Sequence, residues 1–157
     1  MNAATILEAL AGEIRTEWAP QHRCRVHVAP DPARALELLA AGAPEGCSLA
    51  LFYEGEEPAD EKGIVCDEQV AGRFSLALAC HPGLKPRDGQ GGTGALAEAE
   101  SLRAFLLRES AGEGLLDGWR YGGMSSFQLP RGDAPLGGYT LKLTGIYDGG
   151  DELEDEE

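Results

Sequence analysis

No stretch of the sequence approaches the roughly 18 to 20 uninterrupted apolar residues that span a bilayer, so a membrane-crossing helix is not expected. A secretory leader is missing too, since Met1 to Ala11 has no basic segment and its apolar residues are spaced as on an amphipathic helix. Export is not expected. The four cysteines, Cys24, Cys47, Cys66 and Cys80, lack a CxxC pair or any other close spacing used by zinc or redox sites. Three of them fall in expected strands, which favours reduced, buried thiols over disulfides. His22, His27 and His81 flank Cys24 and Cys80, but adjacent side chains of a strand point to opposite faces, which works against a mixed Cys/His zinc site. Basic residues are scarce as well: 13 Lys and Arg stand against 27 Asp and Glu, for a formal net charge of −14. Tight binding to nucleic acid is not expected, because affinity for phosphates comes largely from Lys and Arg displacing counterions.

What is present suits one soluble, folded domain. The chain has 157 residues, 43% of them hydrophobic and 25% charged, close to the globular average. Residues 1–147 are expected to form a single α+β domain and 148–157 a disordered acidic tail, since seven acids, Asp148, Asp151, Glu152, Glu154, Asp155, Glu156 and Glu157, crowd the last ten positions. Losing that tail halves the net charge. A second acidic run, Glu54, Glu56, Glu57, Asp60 and Glu61, is interrupted by Gly55, Pro58 and Ala59 without an apolar period and reads as a solvated loop.

Along the chain, Thr5 to Glu8 has the spacing of a capping box, and Ile6, Leu7, Leu10, Ile14 and Trp18 recur at a helical period. A first helix ending near Pro20 follows. From His22 to Val28 the pattern alternates, with Cys24, Val26 and Val28 on one side, as in a half-exposed strand. Asp31-Pro32 opens a short second helix that Gly42 closes. Cys47 to Tyr53 is a continuous apolar run, a central strand buried on both faces. Arg73 to His81 alternates Phe74, Leu76, Leu78 and Cys80 with small Ser75, Ala77 and Ala79, whose side leaves room for a closely packed helix. Ala95 to about Ser110 carries an apolar helical stripe, and Trp119 to Leu129 and Leu136 to Tyr147 read as two strands of a long hairpin turning at Pro130 to Pro135. The order predicts an α+β fold with helices packed on a mixed or antiparallel sheet.

Catalytic and cofactor signatures are weak. Gly89 to Gly94 matches GxGxxG, but the preceding strand ends several residues too early for a tight strand-to-helix turn, and no Walker lysine follows. No nucleophile-elbow pattern surrounds Ser125 or Ser126, the histidines have no adjacent carboxylate or nucleophile motif, and the Glu54 to Glu61 run lacks the ligand order of a calcium loop. Arg131-Gly132-Asp133 is better explained as turn chemistry. No enzyme, no cofactor and no metal is expected. The surface is more informative: two acidic segments, a loop with Lys85 and Arg87, and strands bearing Trp119, Tyr121 and Phe127 suit contact with another chain, although aromatics in strands are also ordinary core residues. The expected contacts between subunits or toward a partner are Glu54, Glu56, Glu57, Asp60, Glu61, Lys85, Arg87, Trp119 and Tyr121.

The order of elements resembles that of tailed-bacteriophage tail terminators, the tail-completion or minor tail protein U-like family. The features that carry the resemblance are the helix at Ile6 to Trp18, the strand at Arg23 to Val28, the paired strands Leu49 to Tyr53 and Phe74 to Cys80, the helix Leu96 to Leu107, and a closing pair from Trp119-Arg120-Tyr121 to Gly138-Tyr139-Thr140-Leu141. The resemblance implies a structural protein of the virion tail, made in the host cytoplasm, that forms a homo-oligomeric ring, typically a hexamer. Such a ring caps the tail tube and meets head or neck proteins, and acidic residues facing its channel would let DNA pass without sticking. A head-to-tail connector or another tail protein is the neighbouring alternative. A ferredoxin-like ligand-binding or regulatory domain is the alternative of another class, because strand-helix-strand-strand-helix-strand is contained in the same order.

Overall fold

Asn2, rather than Thr5, opens the first helix. Its side-chain oxygen accepts hydrogen bonds from the Thr5 backbone N–H at 2.8 Å and the Thr5 hydroxyl at 2.9 Å, so the cap sits three residues before the expected capping box. The structure is a computed structural model that describes residues 2–41, 47–58, 69–80, 94–108, 117–129 and 136–148. Its elements are α1 (Ala3–Glu17), a 3₁₀ turn (Ala19–Gln21), β1 (Cys24–Val28), α2 (Pro32–Ala41), β2 (Cys47–Pro58), β3 (Gln69–Cys80), α3 (Gly94–Arg108), β4 (Asp117–Leu129) and β5 (Leu136–Asp148). Asp31 caps α2 as expected, its carboxylate accepting from the Arg34 N–H at 2.8 Å. Gly42, the expected end signal of α2, lies outside the described residues, as do the turn 130–135, residues 89–93 of the GxGxxG segment, whose last glycine, Gly94, opens α3, and the tail from 149.

The five strands form one mixed sheet in the order β1-β2-β3-β5-β4. β1 and β2 run parallel, joined through α2, and every other neighbouring pair is antiparallel. This is the α+β fold expected. It is not the split arrangement of a ferredoxin-like domain, which would place another strand between β1 and β2.

Alternation along the strands divides the apolar residues between two layers. Leu49 and Leu51 of β2, Phe74, Leu76 and Leu78 of β3, and Leu141 and Leu143 of β5 face α1 and α3, meeting Ile6, Leu10, Ile14, Leu102 and Phe105 in the main core. On the opposite face Ala50, Phe52, Ala77 and Ala79 meet Ala35 and Leu39 of α2. The small residues of β3 thus admit a close helix, as their spacing predicted, and β2 is buried on both faces along its first half. Tyr121 and Met124 are half-buried against the main core, while Phe127 packs on the second cluster.

Three register shifts interrupt the described strand pairs, one of them between Asp117 and Arg120 on β4, and the other two fall at glycines. The register slips between Tyr53 and Gly55 on β2 and between Tyr121 and Gly123 on β4. Gly55 (φ 128°) and Gly123 (φ 106°) have backbone angles that a side chain disfavours, which is why glycine holds both places. The first bulge corrects the reading of Glu54 to Glu61 as a loop. Glu54, Glu56 and Glu57 belong to β2, which runs on to Pro58 because its backbone pairs with β3 and both Glu56 and Glu57 have side-chain partners. Asp60 and Glu61 lie outside the described residues.

Candidate functional site

The acidic end of β2 holds three of the expected contact residues. Because the bulge inserts one residue, Tyr53 and Glu56 come together: the Tyr53 hydroxyl donates to Glu56 Oε1 at 2.5 Å and the Tyr147 hydroxyl donates to the same oxygen at 3.0 Å. Burial, then the bonds to Glu56 and Tyr147, raise the Tyr53 phenol above the ordinary tyrosine range. Beside this group Arg73 Nη1 donates to Glu57 Oε1 at 2.6 Å. The pair is exposed, so it fixes side-chain positions more than it adds stability. Glu54 is exposed on the same stretch, and Tyr121 lies on β4 two strands from β3 in the sheet order. Among the described members of the expected contact set, Glu54, Glu56 and Glu57 share β2, whereas Tyr121 stands on β4. Trp119 belongs to β4, while Lys85 and Arg87 lie outside the described residues.

A second polar group lies at the other end of the sheet. Trp18, at the end of α1, stacks on His22 with ring centroids 4.0 Å apart and planes 10° from parallel. His22 Nδ1 contacts Glu98 Oε2 on α3, and its Nε2 is 3.4 Å from the Ser101 hydroxyl, which also accepts the Trp18 indole N–H at 3.2 Å. His22 and Glu98 are both buried. Arg23, just after the histidine, has a left-handed backbone (φ 51°) that turns the chain sharply into β1.

Carboxylate, imidazole and hydroxyl here stand in the order used by acyl-transfer enzymes, yet the surroundings do not fit that use. Ser101 sits in the middle of α3, where backbone N–H groups are engaged within the helix and leave no donors for an oxyanion. The arrangement clamps α1, the entry to β1, and α3 to one another. His22 was legible as a candidate; its partner was not, because Glu98 is 76 positions away and only the packing of α3 on the sheet brings it near.

Next to this clamp the sheet aligns three thiols. Cys24 is opposite Cys47 in the β1/β2 register, and Cys47 is opposite Cys80 in the β2/β3 register. All three thiols are free, as expected, and Cys66 lies outside the described residues. Among the described residues no group of three or more His, Cys, Asp or Glu is arranged to hold a metal ion, and no helix is long and apolar enough to cross a membrane. No protein family matches the chain, and no curated protein does.

Proposed function

We propose that the chain is a structural subunit of a phage or prophage tail, a terminator-like protein that closes into a ring, caps the tail tube and joins it to the head or neck. The observation that carries this reading is the open side of the sheet. Among the described residues β4 is an edge strand of 13 residues, paired only with β5, and Arg120, Gly122, Ser125, Ser126 and Gln128 along it are exposed. A long unpaired edge is a template for another chain, and a contact between this edge and a different patch on the next copy generates a ring when the rotation closes.

The element order supports the same reading, since helix, strand, helix, strand, strand, helix, strand, strand is the pattern on which the resemblance rests. A net charge of −14 suits a channel through which DNA passes without adhering. The protein would then be made in the host cytoplasm and reside in the virion tail, with itself, the tail-tube protein and head or neck proteins as partners. This reading assigns no catalytic residue.

Light scattering after size exclusion, over a concentration series and at two salt concentrations, tests this. A discrete species of about six subunits is the expected result. A chain that stays monomeric both alone and with assembled tail tubes, and gains stability from a metabolite, would overturn the reading in favour of a ligand-binding domain.

A further inference from the structure

We propose that Cys24, Cys47 and Cys80 form a thiol relay that ends in a disulfide between Cys47 and Cys80. The three residues occupy one row across β1, β2 and β3, on the face covered by α1 and α3. Cys47 is the first residue of β2 and Cys80 the last of β3, and their sulfurs lie 2.7 Å apart. Bond formation needs a shift of well under an ångström, since a disulfide spans about 2.05 Å. The pair is sealed from solvent, with Cys47 1% and Cys80 2% exposed, so an oxidant cannot reach it directly. Cys24 is only partly buried and stands opposite Cys47 on a neighbouring strand about 4.8 Å away. It supplies the missing access.

The oxidant is a low-molecular-weight disulfide such as oxidised glutathione. The Cys24 thiolate attacks one of its sulfurs, forming a mixed disulfide and releasing one glutathione thiolate. Cys47 then displaces the second glutathione from Cys24, and Cys80 attacks the Cys47 sulfur, returning Cys24 as a thiol. Two protein thiols are oxidised and one glutathione disulfide is reduced to two glutathiones, which take up the protons of Cys47 and Cys80. Burial raises the Cys24 thiol above its ordinary range, and the hydrogen bond to Cys47, followed by burial, does the same for Cys80. Exchange is therefore slow near neutral pH and faster in mild alkali. The product ties together two strands at residues 33 positions apart, independently of any ring.

The test uses the full chain carrying Cys66→Ser, held with oxidised glutathione at mildly alkaline pH, then unfolded and alkylated for mass spectrometry. The expected product has lost two hydrogens, links the peptides of Cys47 and Cys80, leaves Cys24 alkylated, and melts about 5 °C higher than the reduced form. In Cys24→Ser and Cys24→Ala the bond is expected to form at least about tenfold more slowly, because the accessible thiol is gone. Full alkylation of Cys47 and Cys80 after prolonged treatment, or a final Cys24 to Cys47 bond, overturns the proposal. An unchanged rate in both Cys24 variants overturns the relay.

Discussion

Glu98 on α3 meets Nδ1 of His22 across 76 positions of sequence, and both side chains are withdrawn from water, at 4% and 8% exposure. Burying two polar groups is unfavourable unless each satisfies the other, so the contact specifies where α3 lies on the sheet. Trp18 stacked on the imidazole extends that constraint to α1.

Removing one member takes a buried polar contact from the other. Glu98→Ala is expected to lower stability by about 3 kcal/mol in denaturant unfolding. The cycle with His22→Ala should return a coupling of about 1 to 3 kcal/mol. Additive losses would show that the two residues act separately.

Acid should weaken the protein through His27. Its Nε2 is buried with no hydrogen-bond partner among the described residues, and burial, then Arg15, then Arg25 hold the imidazole below its usual range. The folded state therefore takes up this proton less readily than the unfolded chain. The contribution is intact above about pH 6.5 and declines as the pH falls below it. Nuclear magnetic resonance titration should place the His27 midpoint under that of a free histidine, and His27→Gln should flatten the loss of stability between about pH 7 and pH 5. A normal midpoint would contradict the burial argument.

Ser75 offers a gain. Its hydroxyl is buried in β3 with no hydrogen-bond partner among the described residues, on the face toward α2. Ser75→Ala removes the uncompensated oxygen and keeps the close helix packing, so unfolding should require about 1 kcal/mol more. A loss of similar size would mean that the hydroxyl is satisfied in solution.

Gly138 has no such latitude. It lies opposite Phe127 in the β4/β5 register, and an added Cβ would meet both the Leu78 carbonyl oxygen and the Phe127 ring. Gly138→Ala is expected to cost about 1 to 3 kcal/mol, read as a lower denaturation midpoint. Gly137→Ala, with open space around its Cβ position, is the control.

Assembly is tested on the loop that the sequence singled out. Lys85→Glu combined with Arg87→Glu reverses two of the few cationic groups in an acidic chain, and should reduce oligomer mass in light scattering by shifting subunits toward monomer. Unchanged mass would remove Lys85 and Arg87 from the contact surface.

Much of the element order was legible because it depends on local spacing. The run of Ile6, Leu10 and Ile14 marks one face of α1, and Asp31-Pro32 marks the start of α2. The extent of β2 was not, because a run of acids reads as solvated until the pairing of Glu56 with Gly72 and the hydroxyls of Tyr53 and Tyr147 are in place. Of the contact surface, the sequence marked charge and aromatics but could not place them around the sheet.

By itself the sequence determined the helices, most of the strand positions and which side chains of each strand share a face, since periods of 3.6 and 2 residues are properties of neighbouring positions. It also determined the strong acidity. Only the tertiary structure decided that β1 and β2 are parallel neighbours, that α2 lies opposite α1 and α3, that His22 meets Glu98, and that three cysteines share one row. Those are matters of register and packing between segments distant in sequence, fixed by the simultaneous burial of both sheet faces rather than by any local pattern.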